Sequence, residues 1–376
     1  MSTSPRSTIT IDLAAVRHNV KFLREKLQPS TRFLAAVKAD AYGHGALAVS
    51  QAVMQAGADG VAVATAEEAA ALRDAGFDSM ILVMGPLYSI DQCAEMARRR
   101  VEFAVVSDEM AEIVLAMGRS GLKARLHLKV DSGMNRQGLR PERVPAFLRA
   151  IRDLDELELV GIMTHFACAA EDPESVELQL RRFLPCVRRV KAEWPHALAH
   201  AANSFATMFS PRTHLDMVRC GIAVYGLSPD QGDAEAQGLR PALSWTSRVA
   251  LLRPVPAGEG VGYGHTFRPR ADSDVALVPI GYADGVFRVL GNRGEVLING
   301  RRYPMVGRVS MDSFGVDVGV DGRVKAGDTV TLIGRDRGIR VSAEEMASWA
   351  GTINYEIACN VAIARAERLF VDDMKN

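Results

Sequence analysis

Residues 37–45 read Val37-Lys38-Ala39-Asp40-Ala41-Tyr42-Gly43-His44-Gly45, and the fold follows from what flanks them. The preceding run from Thr31 to Val37 is apolar and of strand length, and a run of helix formers extends from Ala46 to Ala56. Lys38 is therefore predicted where a buried strand ends and a turn begins. In α/β folds the carboxyl ends of strands are where ligands bind. A lysine placed there between apolar walls has its pKa lowered by desolvation and can form a Schiff base with an aldehyde. Tyr42 and two glycines follow, so the backbone can pass close to a ligand.

The same strand-then-helix unit recurs. Ser7 to Ile11 reads as a short strand, Asp12 as an N-cap, and Leu13, Val16, Val20, Leu23 and Leu27 recur at helical spacing. Strand-like runs then fall at 32–37, 60–64, 80–84, 102–106, 124–130, 158–164, 198–202 and 216–220, with amphipathic stretches between them. Thr65 with Glu68 forms a capping box and Ser107 is an N-cap candidate. About eight such units over roughly 220 residues, without hairpin turns, predict a closed parallel (β/α)8 TIM-type barrel. An open doubly wound sheet would have fewer strands and a phosphate-loop signature after the first, and there is none.

Near residue 230 the texture changes. Pro229 to Gly238 is polar and turn-rich, as expected of a linker. Short alternating runs follow at 247–255, 275–280, 295–298, 303–309, 313–318 and 329–333, and Asn299-Gly300 is a hairpin signal. A mainly antiparallel β domain is predicted, with one helix opening at Ser342.

Composition narrows the function classes. The 376 residues are 48% apolar and 24% charged, with 45 basic and 45 acidic side chains. That balance gives no electrostatic footprint for nucleic acid or an acidic membrane surface. The first residues lack the apolar core of a signal peptide, and no apolar run approaches the ~20 residues of a membrane span. The five cysteines, Cys93, Cys168, Cys186, Cys220 and Cys359, include no C-x-x-C pair. A reducing cytoplasm with buried thiols, and no metal site, is the expectation.

Read at the strand ends, the chemistry converges. Strand five runs through Lys129 into Asp131-Ser-Gly-Met-Asn-Arg136, strand six ends at His165, strand seven leads to Asn203-Ser204, and strand eight carries Arg219 before Gly221-Ile222. Loops after strands seven and eight are the recurring phosphate site of such barrels. Ser204 offers a hydroxyl there, and Gly221 and Ile222 offer backbone N–H groups. An aldehyde-binding lysine, an arginine and a phosphate cradle together suit pyridoxal 5′-phosphate. In the second half, Gly258–His265 carries alternate glycines without the strand-to-helix step of a dinucleotide loop. Gly281-Tyr-Ala-Asp-Gly285 and Val306–Asp312 are further glycine-bearing loops for which packing or ligand roles are expected.

These segments, with Thr164-His-Phe-Ala167, Arg219–Gly226, Gly262-Tyr-Gly264 and Asn354-Tyr-Glu356, resemble the alanine racemase family along nearly the whole chain. The resemblance implies a homodimeric, cytoplasmic isomerase that interconverts L- and D-alanine, for peptidoglycan or for alanine breakdown. It implies a barrel over 12–235 and a β domain over 236–376 joined by residues 1–11. By the same resemblance Lys38 carries the cofactor and is the base on one face of the α-carbon. Tyr263, from the second subunit, is the base on the other. Arg219 meets the pyridine nitrogen, and Tyr42, Ser204, Gly221, Ile222 and Tyr355 hold the phosphate. Arg136 and the backbone at Met311 meet the substrate carboxylate or the cofactor phenolate. His165 contacts Arg219 and Tyr263, and Lys129 matches a lysine that some members carbamylate.

A tyrosine with a pKa of ~10 in water needs nearby positive charge to act as a base near neutrality. His165 leaning toward Arg219 is the expected source. Gln137 stands where many members have leucine, and Val286-Phe287 where Tyr-Pro is common. A racemase of other amino acids such as serine or lysine is the alternative within the class. A decarboxylase on a similar barrel would usually place an acid where Arg219 stands. A cofactor-binding regulatory protein would be a barrel alone.

Overall fold

The computed structural model describes residues 5–361 and 365–373. The chain divides into two compact units. One comprises Arg17–Ala41 and Gly45–Val224; the other takes the described residues up to Val16, Tyr42–His44 and those from Tyr225 onward.

Strand β1, Ser7–Asp12, belongs to the second of these units. The first is a closed barrel of eight parallel strands: β2 Arg32–Ala36, β3 Gly60–Val63, β4 Met80–Val83, β5 Glu102–Val105, β6 Ala124–Lys129, β7 Leu157–Met163, β8 Leu198–His200 and β9 Met217–Cys220. β2 closes the ring by pairing with β3 on one side and β9 on the other. Every expected barrel strand is present, each a residue or two from its expected limits. Their side chains are buried on both faces, as a parallel sheet wrapped in helices requires. Leu34, Ala62, Leu82 and Met217, from neighbouring strands, form one apolar layer of this core.

The helices begin where the local chemistry says they should. Asp12 accepts a hydrogen bond from the Ala15 backbone at 2.9 Å. Thr65 and Glu68 complete a capping box ahead of the helix Ala66–Asp74, and Ser107 caps Asp108–Arg119. Each such cap contributes about 1 kcal/mol.

The second unit is a mainly antiparallel sheet. Its further strands are β10 Leu243–Arg248, β11 Leu251–Val255, β12 Ser273–Val278, β13 Glu295–Ile298, β14 Arg301–Val306, β15 Phe314–Gly319, β16 Thr329–Asp336, β17 Ile339–Val341 and β18 Glu367–Val371. The expected hairpin at Asn299-Gly300 joins β13 to β14, with both residues at positive φ (53° and 75°) as a two-residue turn demands. β1 pairs with β10 antiparallel and with β18 parallel. The fully buried Trp245 on β10 donates its indole N–H to Ser7 Oγ on β1 at 2.8 Å.

Pro229–Gly238, expected as a linker, is instead a knotted turn of this unit. Asp230 accepts from the Gly232 backbone and from Gln237, while Asp233 and Glu235 pair with Arg340. Its polar composition is spent on internal hydrogen bonds. Among the described residues no helix is long and apolar enough to cross a membrane. Cys93, Cys186 and Cys220 are buried as expected, whereas Cys168 and Cys359 are half-buried. Burial pushes the Cys93 and Cys220 thiols up to about 12.

Candidate active site

Lys38 follows the end of β2, and the turn it opens is left-handed. Ala39, Asp40, Ala41 and Tyr42 all have φ between 52° and 54°. None is glycine, so each costs roughly 1–2 kcal/mol against a right-handed turn. The conformation is over-determined by its neighbours. The Ala39 N–H donates to Glu68 Oε1 at 2.6 Å and the Ala41 N–H to the Val37 carbonyl at 2.8 Å. Asp40 accepts from the Ala46 backbone at 2.7 Å and, through its carbonyl, from Gly45 at 2.9 Å. Strain retained in this way clusters at functional sites.

Arg219, on β9, is buried and donates through both of its terminal nitrogens. Nη1 reaches His200 Nδ1 at 2.9 Å, and Nη2 reaches the Thr164 carbonyl at 2.6 Å and both His165 Nδ1 and the Ala201 carbonyl at 3.3 Å. Burial pushes its pKa down to about 10, which leaves it ionised at neutral pH. Around it the charges act on one another. Lys129 is buried and donates to Gln137 Oε1 at 2.7 Å. Its pKa is pushed down to about 7, first by burial and then by the charges of Arg219, Arg136 and Lys38. Burial and those same cations, with Lys129, hold His165 well below the usual histidine range. Lys129, Arg136, Gln137, Thr164 and His165 line one recess. The expected residues Lys38, Lys129, Arg136, His165 and Arg219 thus form one electrostatic cluster.

His165 itself is a correction. The expectation made it a source of positive charge beside the tyrosine base. Half-buried among cations, His165 is shifted toward its neutral form and accepts at Nδ1 from Arg219, which is the charged member of the pair.

Ser204 opens the helix Ser204–Phe209, with the Asn203 side chain as its cap at 3.0 Å. The Ser204 hydroxyl accepts from the Gly221 N–H at 2.9 Å and the Ala223 N–H at 3.3 Å. Ile222 begins the turn Ile222–Tyr225 and is buried. The serine and the glycine expected to act together are therefore in direct contact.

In the second unit Tyr42 lies against Tyr225 and Tyr355, with ring centroids 4.9 and 6.1 Å apart. Burial, then Tyr355 and Cys359, raise its pKa above the usual phenol range, so it keeps its proton and remains a donor. Tyr263 stands on the glycine-rich loop with 70% of its surface exposed, and Met311 is 54% exposed. The Tyr282 and Ala283 N–H groups donate to the carbonyls of Ser310 and Met311, each at 3.0 Å. A Cβ on Gly281 would lie 2.2 Å from the Ser310 carbonyl oxygen, so this position admits only glycine. The two glycine-bearing loops brace each other and present Met311.

Three polar residues that the sequence reading passed over stand behind the cluster: Glu102, His127 and His200, all buried. The signal was available in strand β6, where His127 and Lys129 alternate with leucines. Polar side chains at every second position of a barrel strand point to one face.

Fold and site together define a class: a (β/α)8 barrel enzyme with a lysine after its first strand and a buried arginine on its last, fused to a β domain. Residues 11–229 match the family described as alanine racemase, N-terminal domain, and residues 242–370 the alanine racemase, C-terminal domain. The alanine racemase of Symbiobacterium thermophilum is 42% identical over 355 residues, which is 94% of each chain. That of Mycobacterium tuberculosis is 42% identical over 356 residues, 92% of this chain and 91% of the relative. Among solved structures, alanine racemase from the D-cycloserine producer Streptomyces lavendulae superposes with a TM-score of 0.92 at 38% identity, covering 99% of each chain. The Bacillus anthracis alanine racemase with bound L-Ala-P gives 0.89 at 36% identity, over 99% of this chain and 96% of that one. The chain belongs to the alanine racemase family.

Proposed function

We propose that this protein interconverts L- and D-alanine with pyridoxal 5′-phosphate, using Lys38 and Tyr263 as bases on opposite faces of the α-carbon. Arg219 carries the reading. It is a buried, ionised guanidinium whose groups can only donate. Such a donor suits an unprotonated ring nitrogen, where an acid would instead supply a proton. The other donors also fit the cofactor. Lys38 offers an amine to an aldehyde. Ser204, Gly221 and Ile222 offer hydroxyl and N–H donors to a phosphate, and by family resemblance Tyr42 and Tyr355 add their phenol groups.

When bound, the cofactor withdraws electrons from the bonds at the α-carbon and makes its proton removable. The chain's own residues then decide where that proton goes. A base on each face moves it directly, and general acid–base catalysis of this kind contributes about 10²–10⁴-fold. Arg136 offers a bidentate donor to a carboxylate, and by family resemblance Arg136 and the Met311 backbone meet the substrate carboxylate or the cofactor phenolate. Lys129, bonded to Gln137, contributes an amine that is only partly charged near neutrality, or an anionic carbamate if it is carbamylated. The solvent exposure of Tyr263 and Met311 supports a second copy of the chain as the partner that receives them, in a cytoplasmic homodimer supplying D-alanine to peptidoglycan.

Incubation with L-alanine in heavy water, with and without added cofactor, tests the reading. α-Hydrogen exchange together with D-alanine formation is expected. Exchange without D-alanine would remove Tyr263 from its role, and neither event with cofactor bound would overturn the activity; serine and lysine then test breadth.

A further inference from the structure

Behind Arg219 a single file of buried polar groups crosses the barrel. Arg219 Nη1 meets His200 Nδ1 at 2.9 Å, His200 Nε2 meets His127 Nδ1 at 2.9 Å, and His127 Nε2 meets Glu102 Oε2 at 2.9 Å. Glu102 is the first residue of β5, so it stands at the end of the barrel opposite the turn that carries Lys38. There its other oxygen accepts from Arg125 Nε at 2.8 Å, and Arg125 is more than half exposed. Both imidazoles are wholly buried.

Only one arrangement of protons satisfies every contact. A guanidinium has no acceptor, so His200 Nδ1 must be a bare lone pair. Burial, with the charge of Arg219, holds His200 far below its usual range, so it is neutral and carries its proton on Nε2. That proton is donated to His127 Nδ1, which must therefore be bare. His127 then carries its proton on Nε2 and donates it to Glu102. Burial works to raise Glu102, but the hydrogen bonds from His127 and Arg125 and the charge of Arg125 outweigh it and hold the carboxyl below its usual range, as a carboxylate. A cationic His127, or a protonated Glu102, would set two donors face to face.

The strand next door is cut to fit. A Cβ at Gly161 on β7 would lie 2.1 Å from His127 Nδ1. The β6–β7 register slips between Leu126 and His127, at the same place. The imidazole thus occupies a space that the neighbouring backbone leaves for it.

We infer that Glu102 is a positioning residue: through His127 and His200 in fixed tautomers it presents a strengthened acceptor to Arg219 and so holds that guanidinium in its donor orientation. The inference rests on the role proposed for Arg219. Aligned hydrogen bonds in a low-dielectric interior polarise one another, so a carboxylate at one end strengthens the acceptor at the other. Its purpose is to keep Arg219 a donor with no second rotamer open to it.

The test is ¹⁵N NMR of the histidine-labelled full chain, with the cofactor added and without it. Both His127 and His200 should show a bare Nδ1 and a protonated Nε2 in either state. A doubly protonated ring, or a proton on either Nδ1, would overturn the inference with no variant needed. In Glu102→Gln the carbonyl still accepts, so the tautomers should persist while kcat for alanine falls at nearly constant KM. In Glu102→Leu the tautomers should become mixed and kcat should fall about 10–100-fold, as when carboxylates behind ligand histidines are removed. In Glu102→Leu, either a wild-type kcat or a lowered kcat with unchanged tautomers would sink it. A wild-type protein that does not racemise alanine would refute the proposed activity instead, and the NMR pattern would still decide the relay.

Discussion

The barrel's functional cluster and the loops of the β unit are built in opposite ways. In the barrel, Arg219, Lys129 and His165 are held by backbone carbonyls and neighbouring side chains, and burial shifts all three. In the β unit, Tyr263 and Met311 ride on glycine-braced backbone with their side chains largely in solvent. Preorganised groups in a dry site act strongly on developing charge, and solvated ones do not. One chain therefore shows a half whose side chains are buried and preorganised and a half whose backbone is fixed while its functional side chains are exposed. On the proposed reading a second copy receives them.

The largest effects belong to the two proposed bases, one in each half. Lys38→Ala should abolish racemisation and the lysine-linked absorbance of the bound cofactor together; activity that survives without the absorbance change would break the assignment. Tyr263→Phe should lower racemisation by roughly 10²–10⁴-fold, the usual worth of a general base. The two directions of the net reaction must fall equally, because the equilibrium between enantiomers is fixed. Exchange in heavy water separates them. One enantiomer should still lose its α-hydrogen to Lys38 while the other exchanges slowly. Equal loss for both would favour a single base and remove the contrast between the halves.

Arg219→Glu probes the charge on the ring side. A carboxylate there favours a protonated pyridine, which is a stronger electron sink. Racemisation should fall and transamination, followed as pyruvate formed from alanine, should rise above the wild-type level. Unchanged transamination would remove the argument that a donor-only arginine limits side reactions. The substitution also places an acid against the carbonyls of Thr164 and Ala201, so Arg219→Lys serves as the companion that keeps a cation.

Most of the architecture was legible because its signals are local and periodic. Eight apolar runs separated by capped helices specify a barrel, and Asn299-Gly300 specifies its hairpin. The strand ends likewise pointed to Lys38, His165, Ser204 and Arg219. The left-handed turn after Lys38 was not legible, since Ala-Asp-Ala-Tyr carries none of the glycine that marks positive φ; tertiary hydrogen bonds impose it. Nor was the neutrality of His165, because charge on a histidine depends on burial and on cations distant in sequence. Pro229–Gly238 read as a linker because turn-rich polar composition looks the same whether its side chains face water or one another.

Lys129 gives a smaller and pH-dependent effect. Its pKa in the folded chain, about 7, lies below the ordinary 10.5, so the unfolded chain holds the proton more tightly. Below about pH 7 both states are protonated and the full penalty applies. As pH rises from about 7 toward 10.5 that penalty is relieved, and stability increases by at most ~1.4 kcal/mol per pH unit. Lys129→Met should flatten the denaturation midpoint over this window relative to wild type. A wild-type profile already as flat as the variant's would mean that no ammonium titrates there, as carbamylation predicts.

The smallest effect sharpens the comparison at the turn that carries Lys38. Glu68 serves two structures at once: Oε2 accepts from the Ala64 and Thr65 backbones, while Oε1 accepts from the Ala39 N–H. Thr65 caps the same helix but makes no hydrogen bond to the turn among those seen. Thr65→Ala should cost about 1 kcal/mol of stability and leave kcat unchanged. Glu68→Ala should cost a similar amount and also lower kcat, because the left-handed turn then loses a brace against a backbone preference of roughly 1–2 kcal/mol per residue. Equal kcat in the two variants would show that the turn holds without Glu68 and that its remaining contacts, from Asp40 to Ala46 and from Val37 to Ala41, are sufficient to aim Lys38.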